Sequence, residues 1–436
     1  MAILTFNKLK STEAIWLPNV PEHWELVKVR HLFKESTKKG FPNETLLVAS
    51  QKDGVVSKDA YGKRTVEATK DLHNLKLVEQ GDFVISLRSF QGGIELAYER
   101  GIISPAYTVM KETRKIEKRY FKNLFKSPPF ISLMTLCVKG IREGQNIDYP
   151  TFKNEYLPFP PIEEQRAIAE YLDKKNSEID KFIRNKERLI ELLEEEKQSS
   201  VRRLGTKGIN ENETFKDSNV NWIGKIPFSW TTKKIKYLGK FTSGFSFDSG
   251  DFIDEGIKVI KISNIQPMQL LWDDLSFVKE SYYNRYKSFR VFKGDLVFAL
   301  TRPIIKGGIK VAIVDVEEKL LINQRNAIYK PSKKLLRDWL YFVILNNDFI
   351  TEFDNQIDHT GQQPNISTNE IGNIYIPYPS MDEQKKIVNA IKMDWAEIDL
   401  VISKAQKEIS SIKEYREALI TDLVTGKRSV PQLQMN

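Results

Sequence analysis

Trp16-Leu-Pro-Asn-Val-Pro21-Glu-His-Trp24 and Trp222-Ile-Gly-Lys-Ile-Pro227-Phe-Ser-Trp230 are the two tracts whose comparison decides how this chain is built. In both, Pro stands five residues after the first Trp and a second Trp stands eight residues after it. The tracts begin at 16 and 222, an offset of 206. Further matches follow in the same order. Gly81-Asp-Phe-Val-Ile-Ser-Leu-Arg88 matches Gly294-Asp-Leu-Val-Phe-Ala-Leu-Thr-Arg302, and Gly144-Gln145-Asn146 matches Gly361-Gln362-Gln363. Leu157-Pro-Phe-Pro-Pro-Ile-Glu-Glu-Gln165 matches Ile376-Pro-Tyr-Pro-Ser-Met-Asp-Glu-Gln384, and Glu178-Ile-Asp180 matches Glu397-Ile-Asp399. The last two pairs share an offset of 219 (165 to 384), so the second copy is slightly longer. A period this long means a duplicated domain, since solenoid repeats run only about 20–50 residues.

Each copy ends in a long helical pattern. A Pro-rich turn stops the extended chain at Pro161 and Pro379, and Glu163-Glu-Gln165 or Asp382-Glu-Gln384 then supplies the acidic first turn that suits a helix dipole. In the second copy the apolar seam reads Ile391, Trp395, Ile398, Ile402, Ala405, Ile409, Ile412, Arg416, Leu419, Leu423, alternating four and three. Shifted by 219, the first copy reads Leu172, Asn176, Ile179, Ile183, Lys186, Ile190, Leu193, Lys197, Ser200, Leu204. Its polar positions either fix register or lie at a wet end of the seam. Two matched heptad helices in one chain are expected to pack on each other as an antiparallel coiled coil, each roughly 40 residues and about 60 Å long. That arrangement predicts a pseudo-two-fold axis with a globular domain at each end of a rod.

The globular stretches mix short apolar runs with Gly, Asn and Asp breaks. Leu46–Ser50, Asp82–Leu87 and Gly308–Val314 read as strands, and Tyr120–Phe125 and Leu335–Leu345 as short helices. The expected class is α+β, with a twisted, mostly antiparallel sheet in each domain. The expected boundaries are 1–158 for the first domain, 159–205 for its helix, 206–221 for a polar linker, 222–377 for the second domain, 378–428 for its helix and 429–436 for a tail.

Outside the repeated frame the domains diverge. Arg, Gln and Asn make bidentate contacts with base edges, and Lys suits phosphates. On corresponding loops the first domain offers Lys63, Arg64, Arg88, Ser89, Gln91, Arg142, Gln145 and Asn146. The second offers Arg302, Lys306, Lys310, Gln324, Arg325, Asn326, Gln362 and Gln363. Taken one at a time, each reads equally well as a solvated loop side chain. Charge is compatible with a polyanion without demanding one: Lys and Arg number 67 against 58 Asp and Glu, a formal net charge of +9.

These features together resemble the specificity subunits of type I restriction–modification enzymes. The Trp-x4-Pro-x2-Trp opening is similar to the start of their target-recognition domains. The Pro-rich turn, the heptad helix and the closing Thr425-Gly-Lys427 are similar to their helical spacers. Gly81-Asp82 with Ser86–Gly93 and Ser104-Pro-Ala-Tyr107 resembles one type of recognition domain. The first copy departs by closing with Gly205-Thr-Lys-Gly208. The resemblance implies double-stranded DNA as ligand, with each domain reading part of a split asymmetric site and the helices setting the spacer. It also implies two methyltransferase subunits as partners, joined by restriction (translocase) subunits. By the same resemblance S-adenosylmethionine, ATP and Mg are expected on those partners, with no cofactor in this chain.

No catalytic constellation is found in the sequence. The four histidines (His23, His31, His73, His359) lack metal-ligand spacing, and no Gly-rich loop with Lys-Ser/Thr occurs. Asp82 and Asp295 are most simply turn residues. The single Cys137 sits in an apolar run and reads as a small buried hydrophobe. With no disulfide, no signal-like start and no long apolar span, a cytoplasmic protein without a membrane segment is expected. Two other readings compete with a DNA-specificity subunit: a protein-binding scaffold of two modules on a coiled coil, and a relative serving another DNA-defence system.

Overall fold

Each Trp-Pro-Trp tract bends a short antiparallel hairpin. Leu9–Ser11 pairs with Asn19–Pro21, and 206 residues on Phe215–Asp217 pairs with Lys225–Pro227. The tract read as a linker therefore contributes a strand, and the repeat begins before its first Trp. Trp16 and Trp222 donate their indole N–H to the carbonyls of Tyr156 (3.2 Å) and Tyr375 (3.0 Å). Those tyrosines open the strands Tyr156–Phe159 and Tyr375–Tyr378, which pair with Glu25–Lys28 and Thr231–Lys234. Start and end of each domain are thereby fastened together. The computed structural model describes residues 6, 8–62, 71–86, 92–139, 146–210 and 212–430.

In the first copy, α1 (Lys118–Lys126) packs beneath a four-stranded antiparallel sheet, and α2 (Ile162–Lys207) follows the Pro-rich turn. The sheet order is Phe33–Ser36, Thr108–Glu112, Phe83–Ile85, Glu95–Leu96. In the second copy, α3 (Arg337–Leu345) and α4 (Met381–Val424) take the same places, beside a sheet ordered Gly239–Ser243, Asn326–Pro331, Leu296–Ala299, Val311–Ile313. The copies part outside this frame. The second has an additional five-stranded sheet containing one parallel pair, Lys258–Ile260 with Leu320–Ile322, whereas the first has the pair Lys76–Val78 with Gly101–Ile103 and the hairpin Leu47–Ser57. Each domain thus carries several small sheets, mixed α/β in content and almost wholly antiparallel.

The repeated Glu-Gln has a buried role. Gln165 and Gln384 are both fully buried. Gln165 Oε1 accepts the N–H of Glu117, the N-cap of α1, at 2.9 Å, while its Nε2 donates to Pro160 O at 2.9 Å. Gln384 makes the equivalent bonds to Leu336 N–H (2.8 Å), at the N-cap of α3, and Pro379 O (3.0 Å). One amide satisfies an orphan helix donor and a proline-turn carbonyl at once.

The chain divides into two compact units, residues 1–186 with 406–436 and residues 187–405, so each holds a stretch of both long helices. In the first unit Arg416 pairs with Asp180, and Lys186 Nζ lies 2.6 Å from Glu408. Partners fall along α4 as numbers rise along α2, so the packing is antiparallel. In the second unit Lys197 Nζ lies 2.7 Å from Asp399 and 4.6 Å from the Trp395 ring centroid. Lys197 and Arg416 are equivalent positions, as are Asp180 and Asp399 (each offset by 219), so the two units repeat one cross-helix ion pair. None of the seam residues is exposed: Leu172, Ile179, Ile183, Ile391, Ile402 and Leu419 are buried, and Ile190, Leu193, Trp395, Ile398, Ile409 and Ile412 half-buried. Of the polar seam positions of the first copy, Lys197 and Ser200 are buried and Asn176 and Lys186 half-buried.

Both helices end on a left-handed glycine, Gly208 (φ +73°) and Gly426 (φ +74°). Gly208 faces Trp230 and Pro227, and Gly426 faces Trp24 and Pro21. Gly208 therefore does in the first copy what the glycine of Thr425-Gly-Lys427 does in the second. Cys137 is buried, and burial, with Glu155 and Asp148 nearby, pushes its thiol up to about 11. Among the described residues no helix is long and apolar enough to cross a membrane.

Replacing Gly426 by Ala imposes left-handed strain of about 1–2 kcal/mol and puts a methyl 2.3 Å from the Pro21 ring. At Gly208 the nearest atom to such a methyl is 3.1 Å away, on the Trp230 ring. Hydrogen exchange in the last turns of α4 should quicken markedly in Gly426→Ala and less at the end of α2 in Gly208→Ala; equal or no effects would contradict this packing. Gln384→Leu should lower stability by roughly 1–3 kcal/mol for each group left unbonded, read as a shift in denaturant midpoint.

Candidate nucleic-acid interface

In the second domain two turns and a hairpin meet around a concavity of about 670 Å³. The hairpin Ile304–Ile309 turns through Lys306-Gly307, and positive φ at Gly307 and Gly308 lets it reverse tightly. Its base is tied by Lys310 N–H to Pro303 O (2.7 Å) and by Ala299 N–H to Lys310 O (3.0 Å). Arg302, just before the hairpin, holds a left-handed backbone (φ +46°), and its N–H donates to Pro364 O at 2.8 Å. A non-glycine residue held this way costs of order 1 kcal/mol and persists only where its surroundings fix it. Thr301 Oγ1 to Asn365 Oδ1 (2.6 Å) and Ile366 N–H to Leu300 O (2.9 Å) join the 357–366 loop to the same edge.

The concavity gathers Arg302, Lys310, Gln324, Arg325, Asn326 and Gln363. Gln362 lines an adjoining recess of about 280 Å³ with Arg325 and Gln363, and Lys306 stands exposed at the hairpin tip. Within the group the side chains differ. Arg302, Gln324 and Arg325 are exposed. Lys310 is only 5% exposed, and its ammonium is held by the Ile262 carbonyl. Burial, then the charge of Arg302, pulls its pKa below the usual lysine range. Asn326 is fully buried, with Nδ2 donating to Ile260 O and Asn323 O while Oδ1 has no partner. Lys310 and Asn326 thus shape the floor, whereas the two arginines and the glutamines stand at the mouth.

Lys261, Ser263, Gln266 and Asn323 also line the site and were not singled out from sequence. Lys261 and Ser263 arrive through the parallel strand pair, which joins segments about 60 residues apart, so no local pattern signals them. Asn264, almost wholly buried, holds their loop by accepting Lys261 N–H (2.8 Å) and donating to Leu271 O (2.9 Å) and Asp274 O (3.1 Å).

In the first domain Lys63, Arg64, Arg88, Ser89, Gln91, Arg142 and Gln145 lie outside the described residues, as does the side chain of Asn146. The described neighbourhood of Gly92 is tightly built. Lys126 Nζ donates to Gly92 O (2.7 Å) and Gln51 O (3.2 Å) and pairs with buried Glu95. Burial raises the Glu95 pKa against the opposing pull of Lys126. Asp82 and Asp295 are turn residues in both domains, accepting the N–H of Glu79 (2.8 Å) and Phe292 (2.9 Å). Among the described residues no cluster of three or more His, Cys, Asp or Glu is placed to hold a metal.

Comparison with known proteins identifies this architecture. Residues 21–195 and 227–427 match the family described as the type I restriction modification DNA specificity domain. Over 445 aligned residues the chain is 30% identical to the type I restriction enzyme MjaVIII specificity subunit of Methanocaldococcus jannaschii, spanning 99% of each chain. It is 20% identical over 322 residues to the EcoBI specificity subunit of Escherichia coli, covering 72% of this chain and 66% of that one. Among solved structures, the HsdS subunit from Thermoanaerobacter tengcongensis shares the fold with a TM-score of 0.55 at 16% identity, over 94% of this chain and 98% of that one. A chain from a structural study of complex assembly and conformational transition in a type I R-M system gives 0.68 at 15% identity, over 94% and 99%. The duplicated frame and these matches agree, and the chain belongs to the family of type I restriction–modification DNA specificity subunits.

Proposed function

We propose that this chain reads a split, asymmetric DNA site, one part with each globular domain. The long helices act as a ruler for the unread spacer and as the frame on which two methyltransferase subunits dock. Restriction subunits join through those partners, and the methyl donor, ATP and Mg are theirs. The observation that carries this reading is the contrast between frame and surface. The Trp–carbonyl bonds, the buried glutamine clamps, the cross-helix ion pair and the glycine closures recur in both copies. The additional sheets around that frame do not. A repeated frame suits equivalent partners, and divergent surfaces suit two different sequences, hence a site that is not a palindrome. Related members named for MjaVIII and EcoBI are specificity subunits, which supports DNA reading as the task.

The test uses the chain assembled with its methyltransferase partner. Substituting Arg88 or Gln91 should weaken discrimination in one half-site, and substituting Arg302 in the other, by roughly 5–100-fold per lost base contact. Loss at both halves alike would contradict a two-reader protein. Inserting four residues into α2 should change the preferred spacer and leave both half-sites as they were; an unchanged spacer would refute the ruler.

A further inference from the structure

We infer that Arg302 and Arg325 read guanine, so that the half-site recognised by the second domain contains guanines contacted on their major-groove edge. This rests on the split-site reading above and adds to it the base and the residues.

Five arginines lie within residues 222–377. Three have partners: Arg285 lies over Tyr286, Arg290 over Tyr283, and Arg337 pairs with Asp338. The side chains of Arg302 and Arg325 have no ion pair, hydrogen bond or aromatic partner among the described residues, and both are exposed at one concavity. Among the described residues no Asp or Glu lines that concavity, so none of its lining residues neutralises them. A free guanidinium presents a rigid fork of donors, which fits the O6 and N7 acceptors of guanine.

Phosphate is the competing ligand for a free arginine, and the surroundings argue against it. The mouth carries Gln324, Gln363 and Asn323 beside the arginines. These neutral amides add no charge for a backbone contact but supply the paired donor and acceptor that base edges require. The supports are stiff as well. Arg302 is held in its left-handed conformation through Pro364, and Arg325 O accepts the N–H of Leu300 at 2.9 Å. Buried Asn326 braces the turn that carries Arg325, and buried Lys310 the base of the Arg302 hairpin. These anchors fix the backbone from which both arginines project, as suits base reading, in which a site must be held to roughly 0.5 Å.

The experiment uses the chain in complex with its methyltransferase partner and duplexes bearing its mapped site. Guanines of the half-site assigned to the second domain are replaced one at a time by 7-deazaguanine, which removes the N7 acceptor and leaves base pairing intact. The wild-type complex should lose on the order of tenfold in affinity at the contacted guanines. R302A should be insensitive at one of those positions and R325A at another, while both still recognise the other half-site, which also shows that they are folded. If the half-site has no guanine, or if 7-deazaguanine changes nothing, the assignment is wrong although split-site reading survives. If the variants weaken binding to every sequence alike and make its salt dependence shallower, the arginines bind phosphate and the assignment is again wrong. If the wild-type complex does not distinguish the mapped site from unrelated DNA, the proposed function itself fails.

Discussion

The main hydrophobic core of each unit is completed by the end of a long helix. That closure depends on a left-handed glycine that lets the chain turn against a buried tryptophan. In the second unit the helix end is Val201–Gly208, which directly precedes the domain it closes. In the first it is Leu419, Leu423 and Val424, from the far end of the chain, packed with Trp24 and bonded through Val424 O to the Tyr120 hydroxyl (2.9 Å). The same packing problem is solved once by neighbouring and once by distant sequence. Loop-closure cost rises only slowly with chain length, so the distant solution is thermodynamically affordable provided the helix end fits.

The helix seam carries a second constraint. Leucines and isoleucines alone would tolerate sliding along a heptad register, whereas a buried polar group fixes one alignment. Lys197 is such a group, neutralised by Asp399 and set against the face of Trp395. Arg416 with Asp180 repeats the device in the other unit. If helix length and register together measure the spacing between two reading surfaces, a one-turn slip would move that spacing by about 5.4 Å, more than one base-pair step. Ion pairs that add little to stability can still be decisive for alignment.

The frame is clear in the sequence, and the candidate interface only in part. The heptad positions are all unexposed along both long helices, because periodicity records which face of a helix is covered. It leaves the polar seam positions open between fixing register and lying at a wet end, since whether Lys197 is wet or buried depends on Asp399, two hundred residues away. Gln165 and Gln384 stand out as repeated letters, but nothing local reveals that an amide is buried between a helix N-cap and a proline carbonyl. At the candidate interface, Arg302 and Arg325 are legible as exposed loop cations. Lys310 stands among the candidate DNA contacts in the sequence because the Ile262 carbonyl that holds its ammonium comes from a separate segment. Lys261 and Ser263 were invisible for the same reason, a parallel strand pairing that no short-range pattern encodes.

The central claim is that one frame carries two independent readers. Exchanging residues 222–377 for the corresponding domain of another family member, then mapping the bases methylated by the assembled enzyme, tests it most directly. The account predicts that one component of the split motif changes to the donor's while the other component and the spacer length stay the same. A motif altered in both components, or in its spacer, would contradict it.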